Sequence, residues 1–284
     1  MNNTFKVHGA GLGLKRDFLD ALKDQSPDLI DFLEIAPENW MGFGGQFAKD
    51  LRYFTERYDF TTHGLSLSIG GPTPLDVEFV KRLKVFLDSH DIEVYTEHLS
   101  YCSDDGHMYD LMPIPFTNEA VHYVADRIKQ VQDILERKIG MENVSYYAAP
   151  GQELSEISFF NAVVEEADCD ILLDVNNIYV NSVNHKYNAV DFLKAMPGER
   201  VAYMHVAGHY DEAEDLITDT HGANVIDNVW DLLHKAYETF GVMPTLLERD
   251  FNIPGIPGLM QEVNKIKEIQ QQWSDKQHVR SVQA

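Results

Sequence analysis

The feature that most constrains this sequence is an alternation. Short apolar runs bounded by turn residues recur along it, and nearly all are followed by a segment of helical periodicity. The runs fall at residues 7–14 (Gly-rich), 31–36, 60–69, 92–96, 138–141, 171–173, 201–206 and 244–247. The helical segments fall at 15–25, 43–58, 75–89, 118–138, 153–167, a short piece opened by Asn188 and Asp191 and ending at Met196, 225–240 and 256–273. In the third, Thr73 is the expected N-cap, Pro74 the first helical position and Asp76 a first-turn acid. After the fourth run comes a long loop with a turn at Asp104-Asp105-Gly106 and an extended piece at Pro113-Ile114-Pro115. The stretch after the seventh reads as a polar loop.

Eight alternating strand–helix units imply a parallel sheet with right-handed crossovers. At 284 residues a closed (β/α)8 TIM barrel, an α/β fold, fits better than an open sheet. An open doubly wound sheet would more often carry a Gly-x-Gly-x-x-Gly turn after its first strand, and Gly9-Ala10-Gly11-Leu12-Gly13-Leu14 does not match it. No linker, repeat or low-complexity tract interrupts the pattern. One barrel domain is expected over residues 1–273, with a frayed polar tail at 274–284.

Composition narrows the partners. An apolar content of 44% permits a substantial core, and a formal charge of -23 repels phosphate backbones and anionic lipid. That charge counts against nucleic acid and membrane partners and favours cationic ones or metal ions. Cys102 and Cys169 stand far apart, with no disulfide framework or paired-cysteine zinc motif. The first residues, Met1 to Lys6, lack the apolar core of a signal peptide, and no run nears the ~20 residues that span a bilayer. A cytoplasmic protein is expected.

Residues of one chemical kind gather at or just past the strand ends: Glu34, Glu38 and Asn39; His63; Glu97 and His98; Glu142 and Asn143; Asp174 and Asn177; His205 and His209, with Asp219 and His221 in the following loop; and Glu248, Arg249 and Asp250. Singly, each has an ordinary explanation. Asp174 and Asn177 suit a helix cap or turn, a lone histidine is commonly a satisfied core group, and Glu248 has Arg249 beside it. Jointly they are harder to explain, because a barrel brings such ends to one face. Buried carboxylates there need a counter-charge, and few Lys or Arg are near them in sequence. Bound divalent cations are the simplest one. Imidazole with carboxylate and no thiolate suits iron, manganese or zinc, and the surplus of donors accommodates two or three ions.

The segments Thr62–Gly70 (THGLSLSIG), Glu97–Tyr101 (EHLSY), Leu173–Asn177 (LDVNN), His205–His209 (HVAGH), Asp219–His221 (DTH) and Glu248–Asp250 (ERD), with Glu34–Trp40 (EIAPENW), occur in register along the chain. Together, from about Gly11 to about Gly258, they resemble the multinuclear non-haem iron-dependent oxidase family, long catalogued as of unknown function. The resemblance implies a xylose-isomerase-like TIM barrel binding two or three irons at its strand ends. It assigns His63, His98 and Glu142 to one iron, and Asp174, His205 and Glu248 to another, with a carboxylate such as Glu142 or Glu248 bridging. Asn177, Asp219 and His221 would hold a third, weaker ion. Glu97 and His209 are then the candidate catalytic groups, which with Glu34 and Asn39 orient ligands or meet substrate. The implied activity is O2-dependent oxidation of a ribosomally made precursor peptide, often at cysteine, presented by a small partner protein. Cys102 and Cys169 read as packing residues. The alternatives are a zinc or manganese sugar isomerase or epimerase, or a DNA phosphodiesterase, of the same barrel superfamily, and a non-catalytic metal-binding scaffold.

Overall fold

The structure, a computed structural model, describes residues 6–104 and 106–283. The first five residues, Asp105 of the expected turn and Ala284 at the chain end lie outside the described residues. The elements in order are β1 (Ala10–Gly13), α1 (Leu19–Lys23), β2 (Phe32–Ile35), α2 (Gly45–Thr55), β3 (Asp59–His63), α3 (Val77–Ser89), β4 (Val94–His98), β5 (Ser100–Ser103), β6 (His107–Pro113), α4 (Asn118–Leu135), β7 (Gly140–Glu142) and α5 (Glu156–Ala167). They continue with β8 (Asp170–Asp174), α6 (Val175–His185), α7 (Ala189–Ala195), β9 (Val201–Val206), β10 (Tyr210–Ala213), β11 (Leu216–Thr218), α8 (Asp227–Phe240), β12 (Thr245–Leu247) and α9 (Ile256–Gln283). Eight strands form a closed parallel barrel in the order β1-β12-β9-β8-β7-β4-β3-β2, as the alternation implies. No described helix is long and apolar enough to cross a membrane.

The chain divides into two compact units, residues 1–34 with 174–284, and residues 35–173. In the first, β1 pairs with β2 through Gly11↔Phe32 and Leu12↔Leu33, and with β12 through Leu12↔Leu247. β12 in turn pairs with β9 through Leu246↔His205. The glycines of β1 answer a packing need. A Cβ on Gly11 would stand 2.5 Å from the Phe32 ring, so the small residue makes room for a fully buried aromatic. In the second unit β3 pairs with β4 through His63↔Thr96, β4 with β7 through His98↔Glu142, and β7 with β8 through Met141↔Ile171. This register sets His98 and Glu142 side by side at adjacent strand ends. Ile171, Leu172 and Leu173 are fully buried, as a strand covered on both faces requires.

Several local expectations are corrected. The third strand stops at His63 rather than running to Ile69: Gly64 N makes the last ladder bond, to Thr96 O, and the next N–H groups, of Leu65 and Ser66, go to the Glu38 carboxylate instead. The third helix starts at Val77, and Asp76, not Thr73, is its N-cap; the Asp76 carboxylate accepts from Phe79 N at 2.8 Å. Likewise α5 starts at Glu156, three residues past its expected start, where the Ser155 hydroxyl caps Ser158 N. The long loop after β4 is an antiparallel hairpin, β5–β6, and the polar loop after β9 holds another, β10–β11. A helix, α6, follows β8 directly, and α9 continues beyond Trp273 to Gln283.

The cap assignment is open to a direct check. Asp76→Ala should cost about 1 kcal/mol in urea unfolding, the usual value of an N-cap, while Thr73→Ala should stay within about 0.5 kcal/mol of the parent. Equal losses would return the helix start to Thr73.

Candidate metal centre

In the unit of residues 35–173, the site grows from three strand ends. His63 closes β3, His98 closes β4 and Glu142 closes β7. His63 Nδ1 lies 2.9 Å from Thr96 Oγ1, and that hydroxyl donates to Thr62 O. The hydroxyl therefore accepts from His63, which places the ring proton on Nδ1. His98 Nδ1 lies 3.1 Å from Glu97 Oε1, an acceptor, so its proton is also on Nδ1. Both Nε2 atoms then present bare lone pairs. They face each other at 3.1 Å and stand 3.3 and 3.4 Å from Glu142 Oε2. Three electron-rich atoms in a buried site repel one another unless a cation lies among them. The donor set fits a metal ion, and its chemistry is that of iron, zinc or manganese sites.

The far side of His98 is held firmly. Glu97 is 2% exposed and takes Tyr95 Oη at 3.0 Å, Leu67 N at 3.2 Å and His98 N at 3.0 Å. Burial raises its carboxyl pKa, but the hydrogen bonds from the His98 ring and backbone help bring it below the usual value. A Cβ on Gly64 would stand 2.3 Å from both Glu97 Oε2 and Tyr95 Oη, so glycine there lets the backbone pass this pair. Glu38, in the turn after β2, binds Leu65 N and Ser66 N at 2.8 and 3.0 Å and fixes the chain that follows Gly64. Asn39 and Asn143 occupy the strand-end turns, Asn143 buried.

In the other unit, Asp174, His221 and Glu248 each place a ligand atom within 4.8 Å of the others. Fully buried His205 joins them, with Nδ1 at 3.1 Å from Glu248 Oε2 and 3.9 Å from Asp174 Oδ2, and Nε2 at 2.9 Å from Glu34 Oε1. Tyr203 Oη donates to the second Glu34 oxygen. His221 Nδ1 bonds Asp250 Oδ2 at 3.0 Å, and Lys15 pairs with the other oxygen, Oδ1. The His221 bond fixes one proton on Nδ1, so Nε2, 2.8 Å from Asp219 Oδ1, is the nitrogen that would be bare once a cation replaces its proton. His221 Nε2 and Glu248 Oε2 are both buried and lie close to groups of the same cluster, Asp219 Oδ1 at 2.8 Å and His205 Nδ1 at 3.1 Å. Glu34, Asp174, Asp219, Glu248 and Asp250 outnumber the cations that Lys15 and two imidazoles can supply. Here too the residues fit a metal ion.

Local folding explains the placement. Asp174 serves twice: one oxygen caps α6 by accepting from Asn177 N at 2.6 Å, and the other faces His205. Asn177 sits buried in the first helical turn. His221 adopts a left-handed backbone, φ 50°, that turns its ring between Asp219 and Asp250. Arg249 does not pair with Glu248. It binds Ala223 O, Asn224 and Asn252 O, and lies 3.9 Å from Glu262. His209 stands apart from the ligand atoms, its Nδ1 2.7 Å from Asn176 Oδ1. Both cysteines are buried.

Sequence reasoning missed Thr96, Tyr95, Tyr203, Asn176 and Lys15. The two tyrosines had a signal, since each stands two residues before a site residue and so on its face of the strand. Lys15 had none, its partner lying 235 positions away.

Burial lowers the affinity of His205 and His221 for a proton, but Glu34 with Glu248, and Asp219 with Glu248, outweigh it and hold both pKa values well above the ordinary one. Without metal, such pairing stabilises the fold fully below the ordinary imidazole pKa of about 6.5 and is lost as pH climbs through the raised values. The Tm of metal-free protein should therefore fall with rising pH in that window, while metal-loaded protein, whose cation replaces the protons, should hold its Tm. Separately, Glu97→Gln should weaken metal binding by about 10- to 100-fold in a chelator competition assay, since it loosens His98; unchanged affinity would remove Glu97 from the site.

Comparison with known proteins adds the kinship. A family model described as "RiPP precursor modification enzyme MbnB/TglH/ChrH" matches residues 9–271. A UPF0276 protein of Shewanella loihica is 65% identical over 256 residues, covering 90% of this chain and 92% of its own. Another, from Alcanivorax borkumensis, is 61% identical over 275 residues, covering 93% and 92%. Among solved structures, 3-keto-D-glucoside 4-epimerase YcjR of E. coli has a TM-score of 0.62 at 11% identity, covering 91% of this chain and 98% of its own. The IOLI protein, solved with a zinc atom, has 0.61 at 14%, covering 94% and 99%. At such identities the likeness concerns the barrel fold alone.

Proposed function

The chain belongs to the RiPP precursor modification enzyme family MbnB/TglH/ChrH, and from that premise we propose that it is an O2-dependent oxidase with two or three non-haem irons that modifies a precursor peptide at cysteine. The observation that carries this reading is the facing of imidazole and carboxylate lone pairs in two buried groups, with donors suited to iron. His63, His98 and Glu142 would hold one ion. Asp174, His205 and Glu248 would hold another, and Asn177, Asp219 and His221 a third. Iron would supply one-electron chemistry with O2 and a Lewis acid that lowers the pKa of a peptide thiol.

The chain's own residues do the positioning. Thr96 and Glu97 keep the His63 and His98 protons on Nδ1, so both rings offer Nε2. Asp250 does the same for His221, so that its Nε2 is the ligand atom. Tyr203 and His205 share Glu34, which fixes that carboxylate beside the ring. Lys15 restrains Asp250 from the opposite side. A small partner protein would present the peptide, and cytoplasmic iron and reductant would suit the chemistry.

The test is anaerobic iron loading followed by a cysteine-containing precursor peptide and air. Iron should bind at two or more per chain, oxygen should be consumed, and the peptide mass should change. His63→Ala and Glu248→Gln should each lower bound iron and abolish the mass change. Turnover of free ketoses without peptide oxidation would replace this reading with an epimerase; metal binding and peptide binding without a mass change would leave a scaffold.

A further inference from the structure

The hairpin β10–β11 follows β9 directly and has two unlike edges. On the β11 edge the Asn184 side chain mimics a neighbouring strand: its Oδ1 accepts from Ile217 N at 2.8 Å and its Nδ2 donates to Ile217 O at 2.9 Å. Ile217 therefore turns both backbone groups away from β10. Its antiparallel partner is Asp211, and facing residues of such a pair turn their groups inward together or outward together. The N–H and C=O of Asp211 thus point to the other edge. All four residues of β10 are exposed, and no further backbone partner is recorded for them among the described residues. An open edge carrying an outward N–H and C=O is a template for another strand.

Two features define what would fit it. Asp211, Glu212, Glu214 and Asp215 make the edge acidic, within a chain of formal charge -23. His209 stands at the head of the edge with an unsatisfied acceptor. Asn176 Nδ2 donates to Asp219 Oδ1, so Asn176 Oδ1 faces His209 and takes its Nδ1 proton at 2.7 Å. Nε2 is left as a lone pair. The side chain is 1% exposed, Nε2 has no hydrogen-bond partner among the described residues, and Asp211 Oδ1 lies 3.7 Å from it, too far for a hydrogen bond. The Asp211 side chain is 75% exposed, so its carboxylate can turn to an incoming cation.

We propose that β10 is the docking edge for the peptide substrate, which adds as a third strand in extended form, sets Lys or Arg side chains against Asp211, Glu212, Glu214 and Asp215, and gives an N–H to His209 Nε2. The proposal rests on the peptide-modifying reading and adds to it a basic substrate segment and the strand that holds it. The hairpin begins five residues after His205, so a peptide lying on β10 is delivered next to that end of β9.

The probe is a fluorescent alternating lysine–valine octapeptide, titrated into the full chain at low salt. Its glutamate–valine counterpart and a version N-methylated at alternate residues are the controls. The lysine peptide should bind saturably, slow hydrogen exchange at Asp211 N–H, and lose about tenfold in affinity on N-methylation. Asp211→Pro, which removes an outward N–H and no β11 bond, should cost about tenfold, as should Glu212→Lys with Glu214→Lys. Circular dichroism and metal content of these variants should match the parent, because the edge is exposed. No binding, equal binding of the glutamate peptide, or binding indifferent to Asp211→Pro and without protection at Asp211 would overturn the proposal. Oxygen consumption and iron content are read separately: an active oxidase with an indifferent β10 sinks the docking edge alone, and a docking peptide on an iron-free, inactive protein sinks the oxidase alone.

Discussion

Each of the two ligand groups depends on lone pairs being made to face one another. An imidazole has two nitrogens and, when neutral, one proton. A chain that ties the proton to one side fixes the bare nitrogen on the other. Thr96 and Glu97 do this for His63 and His98, and Asp250 does it for His221. Each tie lies on the side of the ring away from Glu142 or Asp219, so the bare nitrogens meet carboxylate oxygens across short gaps. This arrangement is costly in a protein interior without a cation. The barrel sustains it because the ties are multiply bonded, and two of them, Thr96 and Glu97, are buried.

Strand register converts a scattered sequence into this geometry. In a parallel sheet neighbouring strands carry equivalent positions at equal height. His98 therefore meets Glu142, and His63 meets Thr96, because the strands pair in that register. That is why the ligand candidates were legible in the sequence: a polar residue ending an apolar run is a residue at a strand end, and a barrel gathers those ends. The same logic found Asp174, His205 and Glu248. It could not find Lys15, whose role depends on Asp250 at the far end of the chain, nor Asn176, one helical position from a recognised residue but turned to Asp219.

The local errors share a cause. Capping is decided by side-chain geometry, and Thr73 and Asp76 both have suitable chemistry; only the turn that precedes Val77 decides for Asp76. The first hairpin reads as a long loop with a turn and an extended piece, and the second as a polar loop, because neither Ser100-Tyr101-Cys102-Ser103 nor Tyr210-Asp211-Glu212-Ala213 alternates apolar with polar residues in sequence, although β5 alternates in burial. Asp174 is the helix cap, and that role leaves its second oxygen available to the other reading. The helix-cap account and the ligand account had looked like rivals, yet a carboxylate has two oxygens, and one caps α6 while the other turns to His205.

Glu248 and Arg249 make the final point about charge. Adjacent in sequence, they invite the reading of a neutralised pair. Successive residues leaving a strand point to opposite sides, however, and Arg249 goes to the backbone carbonyls of Ala223 and Asn252 and the Asn224 side chain. It braces the segment just beyond His221 and leaves Glu248 to the imidazoles. The guanidinium thus protects the negative potential of the site by being spent elsewhere. Arg249→Lys keeps the charge but has no planar fork to span three acceptors; if bracing is its part, the His221 segment loosens while the charge balance around Glu248 is untouched.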